Sequence, residues 1–179
     1  MAFSDPEHNI AQFGLNERMT VADLGAGSGA YTIVAAERVK GFGQVYAVEV
    51  QRDLLPRVKK LASSKGLSNV EVLWGDIESD GGTKIASGVI DAAIVSNILF
   101  QVEDVQGFMK ELRRILKPEG KVLTVDWKES YNHMGPAPDA VFSEQKAKTL
   151  FEESGFAIKQ EIEAGDHHYG FISLKENGE

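Results

Sequence analysis

A glycine-rich segment near the amino terminus constrains the fold of this chain more than any other feature. A short apolar run, Val21–Leu24, is followed by Gly25, Gly27 and Gly29 at alternate positions, and apolar residues then recur at helical spacing. Glycine permits a tight turn and lets a ligand approach bare backbone. The amides at the start of the next helix favour an anionic group, either a phosphate or a carboxylate. We therefore predict a strand, a ligand-binding turn and a helix.

The rest of the chain alternates between strand-like and helix-like segments. Such alternation implies right-handed crossovers and an α/β fold with a mostly parallel sheet. Neither a repeat nor a composition break divides the sequence, so we expect one domain over residues 1–179. The later strands are predicted at 44–50, 70–74, 89–95, 121–127, 157–162 and 169–174, with helices around 31–39, 54–62 and 105–116, a polar connection with a short helix within 75–88, and a last helix capped by Ser143.

Composition limits the classes of function. Asp and Glu number 27 against 19 Lys and Arg, which gives a net charge of −8 and disfavours nucleic acid as a partner. The chain has no cysteine, so a disulfide scaffold, a thiolate zinc site and a cysteine nucleophile are excluded. The longest apolar stretch, 89–100, is too short to span a bilayer, and the acidic first residues do not resemble a signal peptide. We expect a cytoplasmic protein with no membrane association.

The glycine segment alone leaves two classes of nucleotide-like ligand open. Gly25 to Ala30 also satisfies the dinucleotide pattern if Ala30 replaces the third glycine. Glu49, at the end of the second predicted strand, is placed to accept hydrogen bonds from ribose hydroxyls in either class. These residues therefore do not separate NAD(P) from an adenosyl ligand.

Other classes of enzyme lack the residues that their chemistry needs. A short-chain dehydrogenase uses a Tyr-x-x-x-Lys pair, and no tyrosine of this chain has a lysine four residues later. No Gly-Lys-Ser or Gly-Lys-Thr occurs, which disfavours a nucleotide P-loop. His167 and His168 are neighbours, so on a strand they point to opposite faces and do not share an ion. We predict no metal site, although one histidine can still act on a substrate as a base or donor.

The segments that follow the predicted strands resemble the class I S-adenosylmethionine-dependent methyltransferases. The likeness extends over roughly residues 18 to 127. In addition, the segment from Asp5 to Leu15 resembles the short leader of small bacterial and archaeal members, which closes over the ligand. The matching segments are the first motif (Asp23–Gly29), the ribose-binding acid (Glu49), the adenine-positioning segment (Gly75–Ile77), the fourth-strand motif (Asp91–Leu99) and the connection before strand five (Leu112–Gly120).

This resemblance implies a fold and a set of contacts with the methyl donor. The fold is a Rossmann-like three-layer sandwich, with a mostly parallel seven-stranded sheet and an antiparallel C-terminal strand. Adenosylmethionine, which leaves as S-adenosylhomocysteine, would place its carboxylate at the glycine loop and its adenine amine at Asp76. Asp23 would either brace the loop or meet the ligand's ammonium. The implied donor-binding residues are Asp23, Gly25, Ala26, Gly27, Ser28, Gly29, Glu49, Val50, Gly75, Asp76, Ile77, Ser96, Asn97 and Ile98.

The methyl acceptor is not specified by these motifs. Because the sulfonium activates its own methyl, alignment and removal of water do much of the work, and a base is needed only for a protonated acceptor. The candidate catalytic residues are Asn97, which otherwise caps its strand, and Tyr131 and His133, from a loop (131–136) predicted to shape the acceptor pocket. A near-minimal core favours a small-molecule acceptor, or a site completed by another subunit of a homo-oligomer or by a partner protein. A non-catalytic binding module and an NAD(P) oxidoreductase are the alternatives.

Overall fold

The computed structural model describes residues 4–132 and 134–177, which form one seven-stranded sheet. Its strands are β1 (Thr20–Leu24), β2 (Gln44–Glu49), β3 (Val70–Trp74), β4 (Ile90–Ser96), β5 (Leu116–Trp127), β6 (Phe156–Glu161) and β7 (His168–Lys175). Their order across the sheet is β3-β2-β1-β4-β5-β7-β6. The first five strands are parallel to one another, and β7 runs antiparallel to both β5 and β6. The predicted α/β class, the mostly parallel sheet and its antiparallel C-terminal strand are confirmed.

Helices cover both faces of the sheet and give three layers. They are α1 (Pro6–Phe13), α2 (Ala30–Val39), α3 (Leu55–Ser64), α4 (Val105–Ile115) and α5 (Glu144–Glu153). Buried residues of α1 and α2 pack on one face, and those of α4 and α5 pack on the other. Val58 of α3 packs against Ala47 of β2. Ala47 is two residues from Val45, which packs with α1 and α2, so both point to the same face of the sheet and α3 lies on the face that α1 and α2 cover. Among the described residues, no helix combines the length and apolar character that crossing a membrane requires.

Side-chain caps fix where three of these helices begin, and at α4 the Asp104 carboxylate accepts the Gly107 amide at 2.9 Å. Asp5 accepts the Glu7 amide at 2.9 Å, and Pro6 follows at the first helical position of α1, which needs no amide donor. The predicted cap of the last helix is confirmed, since the Ser143 hydroxyl accepts the Lys146 amide at 3.3 Å. The α1 cap sets the direction in which the amino-terminal segment enters the fold.

Two connections differ from the sequence prediction. Leu116 was expected to end α4 and the next strand to begin at Lys121, but Leu116 already pairs with Ile90 in the sheet. The strand therefore starts five residues earlier, with a register shift between Ile90 and Ala92 and a left-handed residue, Glu119 (φ 58°). The short helix expected within residues 75–88 is absent, because this segment forms turns that side-chain hydrogen bonds hold against α4.

Candidate functional site

A cavity of about 600 Å³ lies at the carboxyl ends of β1, β2, β3 and β4. This edge is where open α/β sheets bind ligands, and the volume suits a ligand of nucleotide size. The lining includes all the predicted donor-binding residues except Gly29: Asp23, Gly25, Ala26, Gly27, Ser28, Glu49, Val50, Gly75, Asp76, Ile77, Ser96, Asn97 and Ile98.

The glycine loop is held rigidly at the bottom of this cavity. The amides of Gly25 and Ala26 both donate to the Val48 carbonyl, at 2.9 and 3.0 Å. Gly25 has a φ of +73°, and a Cβ added there would lie 2.6 Å from Cγ2 of Ile98. Gly29 does not line the cavity: it begins α2 with a φ of +88°, and its bare Cα allows Val58 of α3 to pack closely. A glycine at position 29 therefore serves the packing of α3 against the start of α2.

Glu49 closes the β2 side of the cavity. It is only 5% exposed, and its two carboxylate oxygens accept the amides of Gly27 and Gln51, each at 2.8 Å. A carboxylate has about four lone-pair sites, so each oxygen keeps one acceptor site after these bonds. Glu49 therefore both fixes the glycine loop and retains the capacity to accept two hydroxyl groups.

Asp23 is a buried acid beneath the glycine loop. One oxygen accepts the Thr32 hydroxyl at 2.5 Å. Burial raises the pKa of Asp23 to about 6, against the lowering effect of the Thr32 hydrogen bonds, and the negative charge of Glu49 adds to the increase. Thr32 belongs to the first turn of α2, so this hydrogen bond ties Asp23 to the helix, and an incoming cation would stabilise the ionised form.

The chain after β4 makes a constrained turn into the cavity wall. Asn97 has a left-handed backbone (φ 56°), and its amide donates to the Val125 carbonyl at 2.9 Å. Asp126, at the end of β5 and fully buried, accepts the amides of Leu99 and Trp127 at 2.9 and 2.8 Å. Burial raises the pKa of Asp126 to about 6. This acid holds the turn that carries Asn97.

The amino-terminal segment contributes the remaining side of the cavity. Ser4 and Pro6 line it, together with Tyr31 from the first turn of α2. The Ser4 and Tyr31 hydroxyls are 2.9 Å apart, and the buried Asn9 amide donates to both, at 3.0 and 2.7 Å. Burial raises the pKa of Tyr31, so its phenol is neutral at physiological pH. The leader expected to close over the ligand therefore forms part of the cavity wall.

The arrangement of these strand ends agrees with comparisons to known proteins. A family model described as a methyltransferase domain matches residues 15–167. The chain belongs to this methyltransferase family. A crystal structure of a SAM-dependent methyltransferase from Aquifex aeolicus is similar over 96% of this chain and 90% of that one, with 29% identity and a TM-score of 0.87. The resemblance to the class I S-adenosylmethionine-dependent methyltransferases is confirmed.

Curated relatives share part of their length with this chain. A 2-phytyl-1,4-naphtoquinone methyltransferase from Trichormus variabilis is 32% identical over 117 residues, which is 63% of this chain and 48% of the relative. An arsenite methyltransferase from Halobacterium salinarum is 25% identical over 168 residues, which is 86% of this chain and 41% of the relative. The chain thus spans about half or less of the length of these relatives.

The loop after β3, which carries Asp76, is anchored from α4. Asp76 is exposed, and the Ser79 hydroxyl and the Glu78 amide, which donate to it at 2.6 and 2.9 Å, lower its pKa. The loop's far end is held by Glu111, which accepts the amides of Gly81 and Thr83 at 2.9 and 3.1 Å. Sequence reasoning missed Glu111, although it lies three residues after Phe108 and four before Ile115 on the buried face of α4.

The loop after β5 lies away from the cavity. Tyr131 stacks on His167 with ring centroids 3.8 Å apart, and Gly135 lies so close to Trp127 that an added Cβ would be 2.5 Å from its ring. These contacts hold the loop over the ends of β5 and β7, so its described residues do not shape the cavity as predicted. The other catalytic candidate in this loop, His133, lies outside the described residues.

The histidine pair also lies outside the cavity lining. His167 places Nδ1 2.8 Å from Oε1 of Glu129, whereas the His168 ring lies 4.2 Å from Trp127. Burial lowers the pKa of His168 to about 4, so it is neutral. Within residues 4–132 and 134–177, no three His, Asp or Glu side chains are grouped to hold a metal ion.

Proposed function

We propose that this chain binds S-adenosylmethionine in the cavity and transfers its methyl group to a small-molecule acceptor. One observation carries the proposal: a single cavity brings together the glycine loop, Glu49, the Gly75–Ile77 segment and the Ser96–Ile98 turn. These groups come from the ends of four adjacent strands, in the order that the family motifs require. In this proposal residues 1–179 form one domain, because all the described strands join one sheet.

The cavity fits the chemical groups of the donor. The two lone-pair sites left on Glu49 match two ribose hydroxyls. The first-turn amides of α2, at Ala30 and Tyr31, precede any intrahelical partner and suit a carboxylate, as helix N-termini do. Asp23 suits an ammonium group, and Ile77 gives an apolar surface for an aromatic ring beside the Asp76 carboxylate.

The residues of this chain would orient the reactants and keep water out. When bound, adenosylmethionine supplies a methyl group that an acceptor lone pair takes in line, while the S–C electron pair returns to sulfur. The anchored glycine loop and the Asn97 turn hold the cavity in one geometry, which is the main contribution that such a displacement needs. We assign no general base, since one is required only for an acceptor that arrives protonated.

The names of the relatives support a small acceptor. One is named for a naphthoquinone and one for arsenite, and both of these are small molecules. The absence of cysteine disfavours a thiol-relayed arsenic reaction here. The net charge of −8 disfavours an RNA or DNA acceptor.

Calorimetry with adenosylmethionine and S-adenosylhomocysteine tests the proposal. Glu49→Ala should weaken binding by about 1–3 kcal/mol, the effect of losing hydrogen bonds to a buried carboxylate. Glu37→Ala is the matched control, because Glu37 forms only an exposed ion pair with Lys65. Equal affinities in wild type and Glu49→Ala would remove Glu49 from the site, and binding of NADH without either adenosyl ligand would overturn the proposal.

Incubation with methyl-labelled donor and a panel of metabolites separates an enzyme, which transfers the label to a metabolite, from a non-catalytic binding module, which does not.

A further inference from the structure

Part of the cavity wall is not used by the proposed donor contacts. The polar residues of this part include Ser4, which precedes α1, and Tyr31, in the first turn of α2, and their hydroxyl groups are hydrogen-bonded to each other. Asn9, which is fully buried in α1, lies behind them and donates to both hydroxyl oxygens. We refer to Ser4, Asn9 and Tyr31 as the hydroxyl wall.

The hydrogen bonds of the hydroxyl wall leave one proton to spare. Asn9 has two amide hydrogens, and one goes to the Ser4 hydroxyl and the other to the Tyr31 hydroxyl. At 2.9 Å, one of these two hydroxyls donates to the other. Each hydroxyl carries a single hydrogen, so the second hydroxyl keeps its proton for another partner, either Ser96 on the same lining or a ligand. Tyr31 also hydrogen-bonds to Ser96, so the three hydroxyl hydrogens of Ser4, Tyr31 and Ser96 serve two contacts, and one hydrogen remains for a molecule in the cavity.

The charges around the cavity limit which molecule this is. Asp23, Glu49, Asp76 and Glu78 all line it, and none of its described lining residues is Lys, Arg or His. The donor carboxylate would take the first-turn amides of α2, so a carboxylate or phosphate on a second molecule would lose hydration without gaining a cationic side chain of the described lining. Repulsion from Glu49, Asp76 and Glu78 would add to that cost, since the proposed function pairs Asp23 with the donor's ammonium.

We propose that the hydroxyl wall binds the methyl acceptor, and that this acceptor is an uncharged molecule with an oxygen or nitrogen lone pair. The inference rests on the proposed function, because it assumes that the donor occupies the rest of the cavity. Tyr31 and Ser4 contact the acceptor, and Asn9 is a positioning residue that orients their hydroxyls. The acceptor's hydroxyl, carbonyl or neutral amine accepts a hydrogen bond from the one available hydroxyl hydrogen.

The test uses matched probes and equilibrium binding. The full chain is saturated with S-adenosylhomocysteine, and binding of catechol and of 3,4-dihydroxybenzoate is followed by ligand-observed and protein-observed NMR. These probes share a hydroxylated ring and differ in the carboxylate. We expect catechol to bind at least about 10-fold more tightly and to shift signals of the hydroxyl wall. Equal or tighter binding of the carboxylate, or no binding of catechol at millimolar concentrations, would overturn the proposal.

Four variants test which side chains contact the acceptor. Tyr31→Phe keeps the ring and removes the hydroxyl, so catechol should bind about 3- to 10-fold more weakly, the usual effect of one neutral hydrogen bond. Tyr46→Phe, on β2 and outside the lining, is the matched control and should change nothing. Gln101→Lys adds a cation to the lining and should strengthen binding of the carboxylate. Ser4→Ala is the companion variant, because either hydroxyl can hold the free hydrogen. If catechol binds both Tyr31→Phe and Ser4→Ala as it binds wild type, the assignment of the wall is wrong.

Donor binding separates this inference from the proposed function. If S-adenosylhomocysteine itself does not bind, the proposed function has failed. If it binds normally to wild type and Tyr31→Phe while the two probes are not discriminated, only the acceptor assignment has failed.

Discussion

Replacing Glu111 with glutamine should destabilise the fold severely, because this carboxylate anchors the loop after β3 that lines the cavity. Glu111 is 1% exposed and accepts the Gly81 amide and both the amide and the hydroxyl of Thr83. It also binds Arg114, with Oε2 2.7 Å from Nε. A glutamine side chain keeps one acceptor oxygen but turns an NH₂ group toward these donors.

The pKa of Glu111 and the usual cost of breaking a buried ion pair both set the expected loss of unfolding free energy. The hydrogen bonds from Arg114 and Thr83 and from the Gly81 amide outweigh the cost of burial and lower the pKa of Glu111 from 4.5 to about 2, a preference for the ionised form on the order of 3 kcal/mol. Removing one partner of a buried ion pair generally costs about 3–5 kcal/mol. We therefore expect Glu111→Gln to lower the free energy of unfolding by about 3 kcal/mol, or the thermal midpoint by roughly 6–12 °C.

Urea titrations of the wild type and Glu111→Gln from pH 7 to pH 2 measure this effect. A lowered pKa stabilises the fold above its unfolded value, so the difference should be constant down to about pH 4.5 and shrink as the pH falls toward 2. Glu37→Gln is the control, because its exposed ion pair with Lys65 should contribute at most about 1 kcal/mol. A loss below 1 kcal/mol for Glu111→Gln, or one equal to the control, would refute this role.

Two further substitutions test the glycine loop. Gly25→Ala should abolish measurable donor binding, because its Cβ would lie 2.6 Å from Ile98; Gly14→Ala has the same left-handed strain with nothing within 4 Å, and calorimetry should show normal donor binding. Asp23→Asn should raise the free energy of unfolding at pH 7.5 by about 1–2 kcal/mol, since burial raises the pKa of Asp23 to about 6 and wild-type stability falls as the pH rises from about 4 to 6. The same variant should bind the donor more weakly, so a gain in affinity would contradict the assignment.

Local patterns were sufficient to predict most of the fold. Apolar runs and helical spacing gave the strands and the main helices to within a few residues, because burial of one face dominates both patterns. The Leu116 boundary was missed because sheet pairing with Ile90 overrides the helical periodicity that continues through this residue. No local pattern reports that kind of long-range pairing.

The cavity residues likewise divide into those that local patterns predict and those whose roles depend on long-range contacts. Glu49 and Asp76 were predicted because each follows a strand, and the parallel sheet brings strand ends together. Asn9 and Asp126 were missed because their roles depend on contacts with distant residues, Tyr31 and Leu99. Tyr131 was expected near the cavity from its position after β5, but stacking on His167 holds it elsewhere.

A crystal structure of the full chain with S-adenosylhomocysteine tests the central claim most directly. The account predicts the ligand in the cavity, with its ribose hydroxyls on Glu49, its adenine between Ile77 and Asp76, and its sulfur facing the side of the cavity formed by Ser4 and Tyr31. A ligand bound elsewhere, or one whose adenine occupies the hydroxyl wall, would contradict it.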